Sequence, residues 1–222
     1  MAGKTSASQI ENLTAFLAGR PTPIHHVTPS SPDYAEIRSG YRIDPSNNPP
    51  VIVRPQSTEE VALITSFMVE HGINFTVRVG GHNLFARSLR FDAVTLDLRK
   101  LNQVHVDQQG LTARFGGGTL ALDLAQALAA HGLVAATPVF PSVGYLGWAM
   151  HGGYGSYNNH FGMGVDQILA AKVVDHQGKV VEADAELLKG ICGAGGAFGI
   201  VVEATIPVYK LEKASLDREP TL

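Results

Sequence analysis

The sequence predicts an α+β fold in two lobes. Strand-like and helix-like segments alternate as β-α-β-β-β-α-β-β-α-β, and hairpin-length turns are mixed with helical crossings. The chain is expected to divide near residues 105–118. That gives a lead-in over 1–30, a folded domain over 31–212 with lobes of roughly 31–108 and 109–212, and a charged tail over 213–222.

The elements follow from local chemistry. Pro21, Pro23, Pro29, Pro32, Pro45, Pro49 and Pro50 forbid long helices in the first fifty residues, leaving room for a short helix at Ala7–Ala18. Val51–Arg54 is a β-branched strand. Ser57-Thr58-Glu59-Glu60 reads as a capping box that opens a helix. Its stripe is Val61, Ile64, Thr65, Met68 and Val69, and Gly72 stops it. Asn74–Val79 returns to strand, Gly80-Gly81-His82 breaks it, and Ala93–Leu98 resumes it. Strands at Val104–Val106 and Leu111–Phe115 run into Gly116-Gly117-Gly118. Thr119 is expected to cap a helix over Leu120–His131, with Leu124, Ala127 and Leu128 inside. Residues 143–166 read as glycine-rich loop. A hairpin joins Ile168–Asp175 to Val180–Glu182, Ala185–Ile191 is helical, and Ile200–Val208 is the final strand.

Composition narrows the function classes. Lys and Arg number 17 against 20 Asp and Glu, a formal charge of −3, without the basic footprint of a nucleic-acid binder. One cysteine, Cys192, allows neither an intrachain disulfide nor a cysteine-rich zinc module. No apolar run approaches the roughly 18 residues of a membrane span, and the first residues lack a signal peptide's apolar stretch. A cytoplasmic protein with no membrane partner is expected. The nine histidines show no metal-ligand spacing, and no Gly-x-Ser-x-Gly nucleophile elbow occurs.

Glycine is the informative residue: 24 are present, against roughly 16 at an average usage of about 7%. Gly193–Gly199 lies after a helix and before a strand, the reverse of a dinucleotide fingerprint, so a Rossmann site is disfavoured. Between Gly144 and Gly164, seven glycines alternate with Tyr145, Trp148, Tyr154, Tyr157 and Phe161. Such a segment suits a backbone wrapped closely around a flat, partly polar ligand of nucleotide type. A flexible loop is the other reading of the same residues.

Five stretches in order carry a family resemblance. Arg78-Val79-Gly80-Gly81-His82 resembles the Arg-Ser-Gly-Gly-His motif of berberine-bridge-enzyme-like oxidases within the vanillyl-alcohol-oxidase superfamily. Val94–Asn102 is similar to that family's I-D-L-S-x-M-N strand and turn, and Gly116-Gly117-Gly118-Thr119 to its Gly-Ala-Gly. Val143–Asp166 and Leu187–Val201 resemble its two longer glycine signatures. The resemblance implies a PCMH-type FAD-binding fold with the cofactor between two α/β lobes and the substrate domain absent from these 222 residues. It implies FAD as cofactor, cradled by Arg78, the backbone of Val79–Asn83, and Ser88. Ser142, Val143, Gly144, Gly147, His151, Gly152, Gly153 and Gly155 would line the ADP part and the ring edge, and Ile200 and Val201 the adenine–ribose end. It further implies that His82 is bonded through a ring nitrogen to the flavin 8α-methyl.

The chain departs from that pattern in places. Phe140-Pro141-Ser142-Val143-Gly144 stands where doubly linked members have Cys-Pro-Thr-Val-Gly, so no second, cysteinyl link can form; Phe140 is expected across the ring system from His82. Cys192 replaces an arginine, and Ala194 and Ala197 replace glycines. The family's catalytic base comes from the half beyond Leu222, and no residue here stands in for it. Two functions follow. One is an FAD-linked oxidoreductase acting on a small organic substrate, with dioxygen as the reoxidant. The other is a flavin-domain scaffold without its own activity, whose uncovered flavin face would favour self-association.

Overall fold

The computed structural model describes residues 4–41, 44–85 and 87–211. Helix α1 (Ala7–Ala18) is closed by a reciprocal box: Ser6 Oγ accepts from the Gln9 amide and the Gln9 side chain accepts from the Ser6 amide. Its Leu13 and Leu17 are fully buried. The residues expected to be a lead-in therefore supply core.

The first sheet contains β1 (His26–Val27), β2 (Ile52–Val53), β3 (Phe75–Arg78) and β4 (Val94–Asp97), in the order β1-β2-β4-β3. β2 and β3 both run parallel to β4, while β1 is antiparallel to β2. Between β1 and β2 lies a short α2 (Tyr34–Arg38) that proline-rich sequence hid. The crossover helix α3 (Thr58–Glu70) starts at Ser57, whose hydroxyl accepts from the Glu60 amide. The expected box is only half formed, because the Glu60 carboxylate accepts from the Gln56 amide instead. Val61, Ile64, Thr65 and Met68 are buried, but Val69 is 46% exposed and falls off the stripe.

The second sheet is antiparallel, ordered β5-β6-β10-β8-β9: β5 (Val104–Asp107), β6 (Thr112–Gly116), β8 (Ala170–Val174), β9 (Val180–Glu182) and β10 (Ile200–Pro207). The change of sheet thus comes between Asp97 and Val104, earlier than the expected 105–118. Helix α4 (Ala121–Ala129) begins one residue late. Thr119 is 1% exposed with no hydrogen bond at its hydroxyl; the amides it would cap, those of Ala121 and Leu122, donate to the Val143 and Pro141 carbonyls, and Asp123 accepts from the Leu120 amide. A two-stranded pair joins β7 (Leu133–Val134) to β11 (Tyr209–Lys210), so the fold extends past Val208; the tail expected over 213–222 lies outside the described residues.

Residues 143–166 are less irregular than expected. They hold α5 (Tyr145–Ala149), α6 (Asn158–Phe161) and the start of a 3₁₀ turn, Gly164–Gln167. Segments this short show no readable period. α5 forms because Tyr145 is fully buried, with its hydroxyl donating to the Ala136 carbonyl at 3.0 Å and its ring edge-on to Phe115 at 5.1 Å. Helix α7 (Ala185–Ala194) is capped by Asp184 and leaves helical geometry at Cys192 and Gly193.

Among the described residues, two large apolar cores form beside a small cluster of Val27, Tyr34, Ile37 and Ile52. One packs Leu124, Leu128, Tyr145 and Ile191 onto the second sheet. The other joins Leu13, Ile64, Met68 and Leu96 to Val174, Ile200 and Val202, so α1 and α3 tie the first sheet to the second. Among the described residues no helix is long and apolar enough to cross a membrane.

Candidate functional site

Parallel strands end in loops at one edge of their sheet, and that edge is where α/β folds place ligands. The loop leaving β3 is Val79–Asn83. It crosses the segment Ser142–Gly144 closely: a Cβ on Gly80 would fall inside the Ser142 carbonyl and 2.6 Å from the Gly144 nitrogen. Gly144 in turn leaves room for Val79, whose side chain would be 2.7 Å from a Cβ there. Gly81 takes φ +70°, open to glycine at no steric cost. Held this way, the amides of Gly80, Gly81 and His82 have no hydrogen-bond partner among the described residues.

A cleft of about 1150 Å³ opens beside this turn and runs to β8 and β10. Its volume is at or above the upper end of the ~300–1,000 Å³ common for small-molecule sites. Of the expected residues, Val79, Gly80, Gly81, His82, Asn83 and Ser88 line it on the β3 side. Val143, Gly144, Gly147 and His151 line it from the α5 side, and Ile200 and Val201 from β10. Thr65, Trp148, His176, Gly196 and Phe198 line it as well and were not expected. Thr65 and His176 come from a helix stripe and a hairpin turn without a local signal, whereas Trp148 lies in the glycine–aromatic segment and Gly196 and Phe198 in the later glycine signature.

Five expected residues do not face the cleft. Arg78 lies beneath the turn, 1% exposed, with Nη1 donating to the Ile37 carbonyl at 2.6 Å, Nη2 to the Ser39 carbonyl, and Asp97 3.7 Å away. Burial pulls its pKa down to about 10, and the Asp97 carboxylate opposes that shift. It is an anchor for the 37–39 carbonyls. Ser142 reaches the cleft only through His82. Gly152 and Gly153 take φ +104° and +74°, and Gly153 and Gly155 press on Gly164 and on the Thr137 carbonyl, so these three shape the α5–α6 loop.

His82 Nε2 lies 2.8 Å from Ser142 Oγ, and the Tyr41 ring stacks on the imidazole at 4.7 Å and 16°. Partial burial lowers the His82 pKa from its ordinary value, which keeps the ring neutral at pH 7. The Phe140 and His82 rings are neighbours on the rim, with centroids 6.3 Å apart and planes tilted by 34°.

The walls suit a flavin dinucleotide. The unpaired amides are donors for an anionic diphosphate. The hydroxyl of Thr65, buried and unpartnered, is an orphan polar atom in the wall. At Gly147 and Gly196 an added Cβ would meet nothing within 4 Å, so these glycines leave open the space a flat ligand fills.

Comparison with known proteins agrees. A family model described as an FAD binding domain matches residues 49–184. (R)-6-hydroxynicotine oxidase of Paenarthrobacter nicotinovorans is 36% identical over 172 residues, covering 76% of this chain and 38% of the relative. An FAD-linked oxidoreductase of Gibberella zeae is 37% identical over 186 residues, covering 83% of this chain and 37% of the relative. The chain thus spans about two fifths of the length of these curated relatives. Among solved structures, 6-hydroxy-D-nicotine oxidase of Arthrobacter nicotinovorans superposes with TM-score 0.81 at 31% identity, over 87% of this chain and 44% of that one. A BBE-like protein of Physcomitrella patens superposes with TM-score 0.82 at 26% identity, over 90% of this chain and 44% of that one. With the family model covering more than half of its length and the same fold in these oxidases, the chain belongs to the PCMH-type FAD-binding domains of the berberine-bridge-enzyme-like FAD-linked oxidoreductases.

Proposed function

We propose that this chain is the cofactor-holding part of an FAD-linked oxidoreductase that oxidises a small organic substrate and passes the electrons to dioxygen. The observation that carries the reading is the cleft itself: unpaired amides at Gly80–His82 on one wall and open glycines on another, in a chain of an FAD-binding family. Bound flavin would supply a two-electron acceptor. The chain's own work is to bind and orient it. The amides of Gly80, Gly81 and His82 offer donors to the diphosphate, and Val174, Ile200 and Val201 offer an apolar surface to the adenine–ribose end. Trp148 and Phe198 add aromatic surface to the wall.

His82 is the attachment point in this reading. Its neutral imidazole would offer a lone pair as the nucleophile for attachment. Attachment would replace one C–H bond of the 8α-methyl and the imidazole N–H by a C–N bond, and dioxygen would take up the two protons and two electrons released as hydrogen peroxide. No cysteinyl link accompanies it, because Phe140 has no sulfur. Tyr41, Phe85, Val139 and Phe140 are more than half exposed, and through this apolar rim copies of the chain are expected to associate when nothing else covers it.

The test is absorbance. The purified chain, with FAD added where needed, should show a flavin band, and part of that colour should stay with the polypeptide after denaturation and map to the peptide holding His82. A chain that stays colourless in excess FAD refutes the reading. Colour lost entirely on denaturation refutes the covalent part alone.

A further inference from the structure

We infer that Tyr41 and Ser142 are positioning residues for His82, holding its imidazole so that Nδ1 is the nitrogen offered to the flavin. The inference rests on the reading of His82 as the attachment point. His82 lines the cleft, whereas Tyr41 and Ser142 do not, so both hold the ring from outside the wall.

Their two contacts constrain different freedoms. Tyr41 lies nearly parallel to the imidazole, 4.7 Å away and tilted by 16°, and blocks rotation of the ring out of its plane. Ser142 Oγ, 2.8 Å from Nε2, fixes which edge of the ring points where. A neutral imidazole carries one proton, and its site follows from the hydrogen bonds around it. With that proton on Nε2 and donated to Ser142 Oγ, Nδ1 keeps a lone pair. The other tautomer would leave Nδ1–H without an acceptor among the described residues. The same Ser142 contact would carry the positive charge that Nε2–H gains as Nδ1 bonds to carbon.

The two clamping residues are themselves held. Arg78 binds the carbonyls of Ile37 and Ser39, just ahead of Tyr41, and a Cβ on Gly40 would lie 3.3 Å from the Gly81 carbonyl. The Ser142 carbonyl abuts Gly80. Both partners are thereby registered against the turn that presents His82. No sequence signal ties Tyr41, 41 residues from His82, to that turn, and the resemblance places Ser142, 60 residues away, at the flavin without pairing it to His82.

The test uses the 15N-labelled full chain and its FAD-loaded form. Histidine-ring NMR without FAD should show His82 mainly as the Nε2–H tautomer. Ser142→Ala should shift it toward a mixture, and Ser142→Thr should restore it. On loading with FAD, the rate of covalent attachment should fall roughly tenfold or more in Ser142→Ala and Tyr41→Ala, as displaced reacting groups do. It should return in Ser142→Thr and Tyr41→Phe, with total FAD bound unchanged throughout. A wild-type His82 already mixed in tautomer, attachment mapped to Nε2, or alanine variants that attach at the wild-type rate each overturn the inference. Wild-type protein that binds FAD without attaching it overturns the attachment reading instead, and the NMR comparison then decides the clamp by itself.

Discussion

Glycine does opposite work in two parts of the same cleft. At the crossing of Gly80 and Gly144, backbone meets backbone with no room for a Cβ, and the glycines hold two walls together. At Gly147 and Gly196 nothing lies within 4 Å of where a Cβ would be, and the glycines keep space for something else. The first pair is a matter of folding, the second of what the fold contains. A motif written as a row of glycines conceals that difference.

The sharpest way to break the comparison is Gly80→Ala. Its methyl would land on the Ser142 carbonyl, and backbone on both sides cannot turn away. The expected loss is about 3 kcal/mol, the upper part of the usual overpacking range, read as a lower denaturant midpoint at unchanged slope. A wild-type midpoint would show that the crossing is loose.

His82→Ala should act on chemistry with little effect on stability. Covalent flavin should vanish while reversible FAD binding remains, and the midpoint should move by no more than about 0.5 kcal/mol, as for a surface truncation. Mass spectrometry of the denatured protein reads the first effect and a denaturant titration the second.

Gly147→Ala separates the two kinds of glycine by sign. It sits in α5, where alanine is better than glycine by roughly 0.5–1 kcal/mol, so the ligand-free protein should become slightly more stable. FAD affinity should fall about tenfold, or ~1.4 kcal/mol, because the methyl enters the cleft. Parallel shifts of both quantities would contradict the open-space reading.

The smallest effect is that of pH on His82. Burial lowers its folded pKa below the ordinary 6.5, so the unfolded chain takes up the proton first. The stability tied to its neutral form is complete above pH 6.5 and lost as pH falls through the folded value. Covalent attachment should accordingly decline as pH falls through the folded value, which lies below 6.5.

Much of the fold was legible because its signals are local. α1 is bounded by a complete Ser6–Gln9 box, and β9 by the turn at Gly178, so both lie where the sequence puts them. The Gly-Gly-His turn was legible for the same reason. What escaped depends on distant partners. α5 forms around the buried Tyr145, and Thr119 loses its capping role because the Ala121 and Leu122 amides donate to the Val143 and Pro141 carbonyls. Arg78 sits inside the motif yet serves the carbonyls of Ile37 and Ser39. Phe140 follows a resemblance in sequence, but its ring packs beside His82. Thr65, His176 and Phe198 enter the wall only because α3, the β8–β9 turn and the loop before β10 converge there.

The most direct measurement is a titration of the chain with FAD, followed by flavin fluorescence, with Gly147→Val measured alongside. Wild-type protein should quench the flavin to a one-to-one end point, and Gly147→Val should bind at least tenfold more weakly while keeping its thermal midpoint within a few degrees. Equal binding by the two proteins, or flavin fluorescence unchanged by excess wild-type chain, would contradict the assignment of this cleft to FAD.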